Sequence, residues 1–162
     1  MNGLLILAGG KGTRMKSEGP KALVPFLGTP LLEHVLKEVS RLFPKPYIII
    51  GYKGEEIRGH LKDLCHYIVQ DPPLGTGHVV MCAKKELASR KDLENLIVIP
   101  GDHPLVTTRS LEALMQLHED ENALITLATA KVPSFEGEYR HFAHHGRVVR
   151  DEQGRVRGIV EP

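Results

Sequence analysis

The chain has 162 residues, of which 41% are hydrophobic and 25% charged, so we expect a single globular domain over residues 1–162. The formal net charge of +1 gives no reason to expect nucleic-acid or membrane binding, and no apolar run approaches the roughly eighteen residues of a transmembrane helix. The two cysteines, Cys65 and Cys82, fit no metal-binding spacing. We therefore expect reduced, buried thiols and a cytoplasmic protein, and the sequence assigns no oligomeric state.

Short apolar runs alternate with helical spacings along the first 130 residues. Strands are predicted at Gly3–Ala8, Tyr47–Ile50, His66–Val69, Leu96–Ile99 and Leu124–Ala130. Helices are predicted at Leu31–Leu42, Glu55–Leu64 and His78–Leu87, followed by one that carries Leu111, Leu114 and Met115 and is capped by Thr107 or Thr108. Farther along, Arg147–Val149 and Val156–Val160 are typical of two hairpin strands joined around Gln153 and Gly154.

This alternation predicts an α/β fold, with a mostly parallel sheet covered by helices on both faces. In such sheets ligands bind beyond the carboxyl ends of the strands. Three segments with suggestive chemistry follow predicted strands, namely Gly9–Lys21, Gln70–His78 and Gly101–Pro104. We therefore expect them to meet at one edge of the sheet.

The first of these segments has the composition of a phosphate-binding loop. Its glycines let the backbone approach a ligand closely, and Arg14 and Lys21 would neutralise phosphate charge. It is not a Walker loop, because Lys11 is followed by glycine, and it lacks the third glycine of a dinucleotide fingerprint, where Met15 stands. The alternative is a glycine-rich turn between a strand and a helix, with solvated cations.

The segment Leu7–Met15, followed by Pro20 and Lys21, is similar to the signature of the sugar-1-phosphate nucleotidyltransferases. Within that family, Leu74–His78 resembles the uridine-side loop of the N-acetylglucosamine-1-phosphate uridylyltransferases, and Pro100–Leu105 resembles their metal-binding segment. Two later stretches resemble their sugar-binding segments, Gly146–Val148 and Gly158–Glu161. The resemblance implies a Rossmann-like domain that uses Mg²⁺ as cofactor, with a nucleoside triphosphate and a sugar-1-phosphate as substrates.

The same resemblance assigns roles to individual residues. It implies that the nucleotide site is lined by Leu7, Ala8, Gly9, Gly10, Gly12 and Thr13. It implies catalytic roles for Arg14 and Lys21, which would bind and polarise the phosphates, and a magnesium ligand in Asp102. It also implies uracil contacts from Gln70, Gly75 and Thr76, and sugar contacts from Gly146 and Glu161.

Two of these assignments have plainer alternatives. The segment from Gln70 would otherwise be a proline-glycine loop leading to a helix capped near Thr76, and Asp102 would be a turn aspartate before Pro104. Pro73 stands where the uridylyltransferase pattern has a second glutamine, and proline has no N–H to donate. This departure leaves another base open.

The histidines His141, His144 and His145 lie close together, but no cysteine or carboxylate accompanies them at metal spacing, so we expect no zinc site.

The sequence thus predicts an enzyme that transfers a nucleotide, with UTP as the favoured triphosphate and N-acetylglucosamine-1-phosphate as the favoured acceptor. Members of the resembling family continue well beyond the position of Pro162, so we expect a complete nucleotide-binding half and an incomplete sugar-binding half. The alternatives are a nucleotide-binding protein without turnover and a related transferase for another base or phospho-substrate.

Overall fold

The structure, a computed structural model, describes residues 1–12, 18–72 and 74–161, without the side chain of Thr76. Within these residues the strands are β1 (Asn2–Leu7), β2 (Pro25–Phe26), β3 (Thr29–Pro30), β4 (Tyr47–Ile50), β5 (His66–Val69), β6 (Asn95–Pro100), β7 (Arg147–Arg150) and β8 (Val156–Val160). The α-helices are α1 (Leu31–Val39), α2 (Gly54–Leu61), α3 (Thr76–Leu87) and α4 (Thr108–Asp120). None of the described helices is long and apolar enough to cross a membrane.

Strands β1, β4, β5 and β6 form one parallel sheet in the order β5-β4-β1-β6. Strand β1 lies in the interior of this sheet, pairing Leu7 with Ile49 of β4 on one side and with Pro100 of β6 on the other. The predicted α/β fold with a mostly parallel sheet is therefore confirmed. Since the strands are parallel, their carboxyl ends all lie at the same edge.

Each face of the sheet carries its own hydrophobic core. Leu4 and Ile6 of β1 point to the face covered by α1, α2 and α4. Leu5 points to the opposite face, where Val79 and Ala83 of α3 pack against it. This division follows from the alternation of side chains along a strand, and it confirms helices on both faces.

The helix boundaries differ from the predicted ones by a few residues. Helix α1 ends at Val39 rather than Leu42, and residues 40–42 form a turn in which the carbonyl of Val39 accepts from the N–H groups of Leu42 and Phe43. At α4, Thr107 is the N-cap, and its hydroxyl accepts a hydrogen bond from the Ser110 N–H. The sequence left open whether Thr107 or Thr108 caps this helix, and the structure has Thr107 in that position.

The predicted strand at Leu124–Ala130 is wrong, because this segment forms no ladder in the structure. Leu124 is 99% exposed, and the segment runs beside the free edge of β6 without joining the sheet. His118 ties it there, with one ring nitrogen 2.9 Å from the Thr126 hydroxyl and the other 3.2 Å from the Asn95 side-chain oxygen. A β-branched, apolar run becomes a strand only where a neighbouring strand supplies hydrogen bonds.

The later part of the chain forms a separate antiparallel pair. Strands β7 and β8 are joined by a tight turn in which Asp151 accepts from the backbone of Gln153 and Arg155. This confirms the predicted hairpin. The stretch 135–145, which precedes it, contains a 3-10 helix at Gly137–His144.

Candidate functional site

The described parts of the three suggestive segments meet at the carboxyl edge of the parallel sheet. The N–H of Gly101 donates to the carbonyl of Leu7 at 2.9 Å, and the N–H of Gln70 donates to that of Ile50 at 2.8 Å. These bonds extend the pairing of the strands by one residue. They bring the beginnings of all three loops together, as the parallel arrangement predicted.

Lys21 and Asp102 form an ion pair at the centre of this edge, between Nζ and Oδ2. Lys21 opens a 3-10 helix, Lys21–Leu23, and Asp102 lies two residues beyond the end of β6. Both side chains are partly exposed, so a ligand can reach them. One predicted catalytic residue and the predicted metal ligand are therefore direct neighbours.

Gly12 closes the glycine-rich loop onto Lys21. Its φ angle is +62°, a conformation in which residues with a Cβ are strained. A Cβ at Gly12 would lie 2.6 Å from the Cβ of Lys21, closer than two carbon atoms can approach. The loop therefore needs glycine at this position for both conformation and space. The predicted Thr13 and Arg14 lie outside the described residues.

At the start of the glycine-rich loop, the described residues pack closely against Gly9 and not against Gly10. Ala8 donates its N–H to Ile49, and a Cβ at Gly51 would lie 2.9 Å from the carbonyl oxygen of Gly9, so these two glycines pack backbone to backbone. In contrast, a Cβ added at Gly10 would meet no atom of residues 1–12, 18–72 and 74–161 within 4 Å. Among these residues, nothing packs against Gly10 as Gly51 packs against Gly9.

Gln70 links the second loop to the first. Its side chain is buried, with the amide nitrogen donating to the carbonyl of Gly75 at 3.1 Å and lying 3.4 Å from Nδ1 of His78. Its amide oxygen lies beside Gly9, 3.3 Å from where a Cβ on that glycine would stand. Thr76 follows as the first residue of α3. The three residues predicted to contact the base thus lie in one short segment from the end of β5 to the start of α3, next to the glycine-rich loop.

The residues at this edge fit a magnesium ion. Mg²⁺ is commonly held by one or two carboxylates, with water and substrate phosphate completing its shell, and Asp102 supplies one such carboxylate at a strand end. Among residues 1–12, 18–72 and 74–161, no group of three or more His, Cys, Asp and Glu side chains has the arrangement of a protein-only metal site. The ion would therefore depend on substrate oxygens. His103 is exposed and is a poorer ligand for this ion.

The two predicted sugar-binding residues meet each other on the hairpin. A Cβ on Gly146 would lie 3.2 Å from a side-chain oxygen of Glu161, next to the pairing of Arg147 with Val160. They flank strands β7 and β8, which form a sheet separate from the one that carries the three loops.

The histidine cluster is engaged with the backbone. The Nδ1 atoms of His141 and His145 lie 2.9 and 3.1 Å from the carbonyls of Glu138 and His141. These local contacts stabilise the 3-10 helix.

Sequence reasoning overlooked Tyr52 and the lysine it holds. The centre of the Tyr52 ring lies 5.3 Å from Nζ of Lys11. The backbone N–H of Tyr52 donates to the carbonyl of Gly9 at 3.2 Å. The ring thus places a further cation beside the loop. Tyr52 follows β4, so the rule that located the three loops would also have found it. His78 closes the Leu74–His78 motif and begins the predicted helix His78–Leu87, but the sequence assigned it no role of its own.

Comparisons with known proteins identify the family of the chain. The family model of the MobA-like NTP transferase domain matches residues 4–158. The bifunctional protein GlmU of Shouchella clausii is 42% identical over 97% of this chain and 33% of its own length, and that of Streptococcus equi subsp. zooepidemicus is 42% identical over 99% and 33%. The chain therefore spans about a third of the length of these curated relatives.

Solved structures share the fold. HddC from Yersinia pseudotuberculosis, complexed with GMP-PN, has a TM-score of 0.66 at 22% identity, covering 99% of this chain and 69% of HddC. A nucleotidyl transferase from Methanothermobacter thermautotroptrophicus has a TM-score of 0.56 at 20% identity, covering 72% and 57%. With the family model extending over nearly its whole length, this chain belongs to the MobA-like NTP transferase domain family.

Proposed function

We propose that the chain binds a nucleoside triphosphate, UTP in the first place, and transfers its nucleotide to a sugar-1-phosphate with release of pyrophosphate. The observation that carries the proposal is the meeting of Gly12, Lys21 and Asp102 at the carboxyl edge of the sheet, beside the Gln70 loop. Family membership supports the class of reaction. N-acetylglucosamine-1-phosphate is the acceptor that the resemblance to the uridylyltransferases favours.

In the proposed reaction, an oxygen of the sugar-1-phosphate attacks the α-phosphorus in line. The bond from that phosphorus to the bridging oxygen breaks, and pyrophosphate leaves with the bonding electron pair. No covalent intermediate with the protein is required. The protein would act by positioning the two phosphates and neutralising their charge.

Lys21 is suited to this task because its partner, Asp102, is itself part of the site. An incoming phosphate would compete with the carboxylate for the ammonium group, and the ammonium group would then follow the phosphate charge. Arg14 would add a second cation with a planar, bidentate donor pattern. Magnesium, when bound, supplies further charge neutralisation at phosphate oxygens, and Asp102 is the residue that would hold it.

The base would lie against the Gln70 loop. Uracil offers carbonyl acceptors and one N–H donor, and the amide of Gln70 with the backbone at Gly75 and Thr76 provides groups that can match them. The proximity of Gln70 to Gly9 supports one continuous site for base and phosphates.

The first test is pyrophosphate release from UTP and N-acetylglucosamine-1-phosphate with magnesium present. We expect Lys21→Ala and Arg14→Ala each to lower the rate on the order of hundredfold, since each removes a charge that stabilises the transition state. Lys85→Ala, at an exposed lysine on α3, is the matched control and should keep the rate. Full turnover by Arg14→Ala or Lys21→Ala would contradict the proposed roles.

The second test is a thermal-shift comparison of the four common triphosphates with magnesium. We expect UTP to raise the melting temperature most, because binding to the native state alone stabilises it. Stabilisation by CTP or GTP but not by UTP would overturn the choice of uracil and leave nucleotidyl transfer intact.

A second candidate function is nucleotide binding without turnover. It is favoured by the position of Gly146 and Glu161 at the ends of a hairpin whose sheet is separate from the parallel sheet. Under this alternative, UTP would stabilise the chain, and no pyrophosphate would appear with any sugar-1-phosphate.

A further inference from the structure

Both N–H groups of the Gln70 amide have acceptors within the protein. One is directed at the carbonyl of Gly75, at 3.1 Å, and the other at Nδ1 of His78, at 3.4 Å. An amide nitrogen carries two hydrogens only. The nitrogen therefore has none left for a ligand, and the amide oxygen beside Gly9 is the atom that remains to receive one.

The carbonyl of Gly75 fixes the direction of this amide. A carbonyl oxygen accepts hydrogen bonds and cannot donate, so the nitrogen of Gln70, and not its oxygen, must face it. His78 then has to accept as well, which requires its Nδ1 to carry no proton. Turning the amide over would set its oxygen against the Gly75 carbonyl, and His78 could then meet that oxygen only in its other tautomer, with a proton on Nδ1.

The two acceptors differ in how firmly they are held. Gly75 belongs to a loop and has a φ angle of +91°, whereas His78 lies in the first turn of α3. The next residue of that helix, Val79, is buried in the core beneath the sheet. His78 is therefore the acceptor that the packing of α3 holds in place.

Cys82 also contacts the imidazole of His78. Its sulfur lies 3.8 Å from Nδ1 and 3.7 Å from Nε2, so it is nearly equidistant from the two ring nitrogens. This arrangement is unlike a Cys-His catalytic pair, in which sulfur and one nitrogen share a proton.

We propose that His78 is a positioning residue that sets base selectivity: it holds the amide of Gln70 with its oxygen toward the ligand, so that the base must donate a hydrogen bond there. This inference rests on the proposed function. The pairing edge of uracil has one donor, N3–H, whereas cytosine has an acceptor at the same ring position. The geometry at Gln70 thus favours uracil over cytosine.

The test compares dissociation constants for UTP and CTP, measured by calorimetry on the same preparation of each variant. The ratio of the two constants does not depend on the folded fraction, so it remains meaningful for a destabilised variant. We expect the wild type to favour UTP, and His78→Phe, which removes the acceptor but keeps a ring, to reduce the preference roughly tenfold. His78→Gln, whose side-chain oxygen can accept, should recover part of it.

Two further variants separate positioning from packing. Cys82→Ala removes the side chain that contacts the imidazole without touching Gln70, and it should keep the UTP preference. Gln70→Ala should lose the preference, and adding His78→Phe to it should change the ratio little, because the two residues act through one amide.

The measured ratio distinguishes a failure of the His78 role from a failure of the proposed function. An unchanged ratio in His78→Phe, including an equal loss for both triphosphates, overturns the role of His78 while the proposed function stands. A wild type that binds CTP at least as tightly as UTP contradicts the base assigned in the proposed function, and a wild type that binds no triphosphate contradicts both.

Discussion

At the scale of single residues, the site depends on a glycine that leaves no room for a side chain. Gly12 packs against Lys21 across the glycine-rich loop, and it does so in a left-handed conformation. Neither feature contributes chemistry. Their combined effect is to place the Lys21 ammonium next to Asp102, where phosphate charge would be met.

Replacing Gly12 by alanine is therefore expected to harm activity more than stability. An alanine at this positive φ angle is expected to lower the stability by about 1–2 kcal/mol. The clash with Lys21 would also displace the ammonium group, with a loss in rate of up to about hundredfold. Gly154→Ala is the matched control, with a φ angle of +79° in the hairpin turn and open space around it. It should lower the melting temperature comparably and leave UTP binding unchanged. Equal kinetic losses in both variants would contradict this account.

The two cysteines should react differently with an alkylating agent. Burial raises the pKa of the Cys65 thiol to about 11, so little thiolate forms at pH 8, while Cys82 is only half-buried. We expect iodoacetamide to modify Cys82 in the native protein and both cysteines in urea, as read by mass spectrometry. Modification of both at similar rates in the native protein would show that Cys65 is not protected.

At the scale of elements, α1 and α4 are joined by a polar link. The Glu38 carboxylate accepts from the Thr108 N–H at 2.7 Å and from its hydroxyl at 2.9 Å, and that hydroxyl also lies 2.8 Å from the Glu38 carbonyl. Thr108 is buried at the first turn of α4, where backbone N–H groups lack partners within the helix. A carboxylate from α1 thus completes the N-terminus of α4, beside the cap that Thr107 provides.

This link predicts a dependence of stability on pH. The Thr108 backbone N–H, and then its hydroxyl, lower the pKa of Glu38 below its ordinary value of 4.5. The unfolded chain therefore takes up the proton first, so the link stabilises the native state above pH 4.5, and this stabilisation is lost as the pH falls through the lowered pKa. Glu38→Gln should flatten that part of the curve of unfolding free energy against pH. Glu119→Gln, at an exposed position on α4, should leave the curve unchanged.

The sequence predicts features that depend on neighbouring residues better than it predicts contacts between residues far apart in the chain. Apolar runs located β1, β4, β5 and β6, and the parallel order then placed Lys21, Gln70 and Asp102 at one edge. The bonds between Gln70 and His78, and between Glu38 and Thr108, depend on side-chain directions and on helix packing, which spacing does not give. The roles of the site residues in binding and catalysis remain predictions.

The error at Leu124–Ala130 has a related cause. Its composition is that of a strand, but composition cannot supply the neighbour that a strand needs. In the structure the segment borders a groove of about 680 Å³ beside β6, lined mainly by apolar side chains of β6 and α4.

At the scale of the whole molecule, the inner strands β1 and β4 of the sheet are buried from both sides. Ile48 and Ile49 are neighbours on β4, yet each is fully buried, one in each core. This differs from an antiparallel sheet with one wet face, in which one of two adjacent residues would be exposed.

Truncations of these two isoleucines are expected to cost about the same. Ile48→Ala and Ile49→Ala should each lower the free energy of unfolding by about 2–5 kcal/mol, measured by urea denaturation, because each leaves a cavity. Val98→Ala, at a 40% exposed position on β6, should cost less than about 1 kcal/mol. A cost for Ile49→Ala as small as that for Val98→Ala would mean that α3 does not cover its face.

Because β1 is paired on both sides, its register also fixes the position of the glycine-rich loop that follows it. Leu5, Ile6 and Leu7 are each matched with one residue of β4 and one of β6, and the glycine-rich loop starts where those pairings stop. A slip of one residue would exchange the two cores and would also advance the loop by roughly 3.3 Å relative to Asp102. The register of β1 therefore sets both the side chains that enter each core and the position of the glycine-rich loop relative to Asp102, so neither can change without the other.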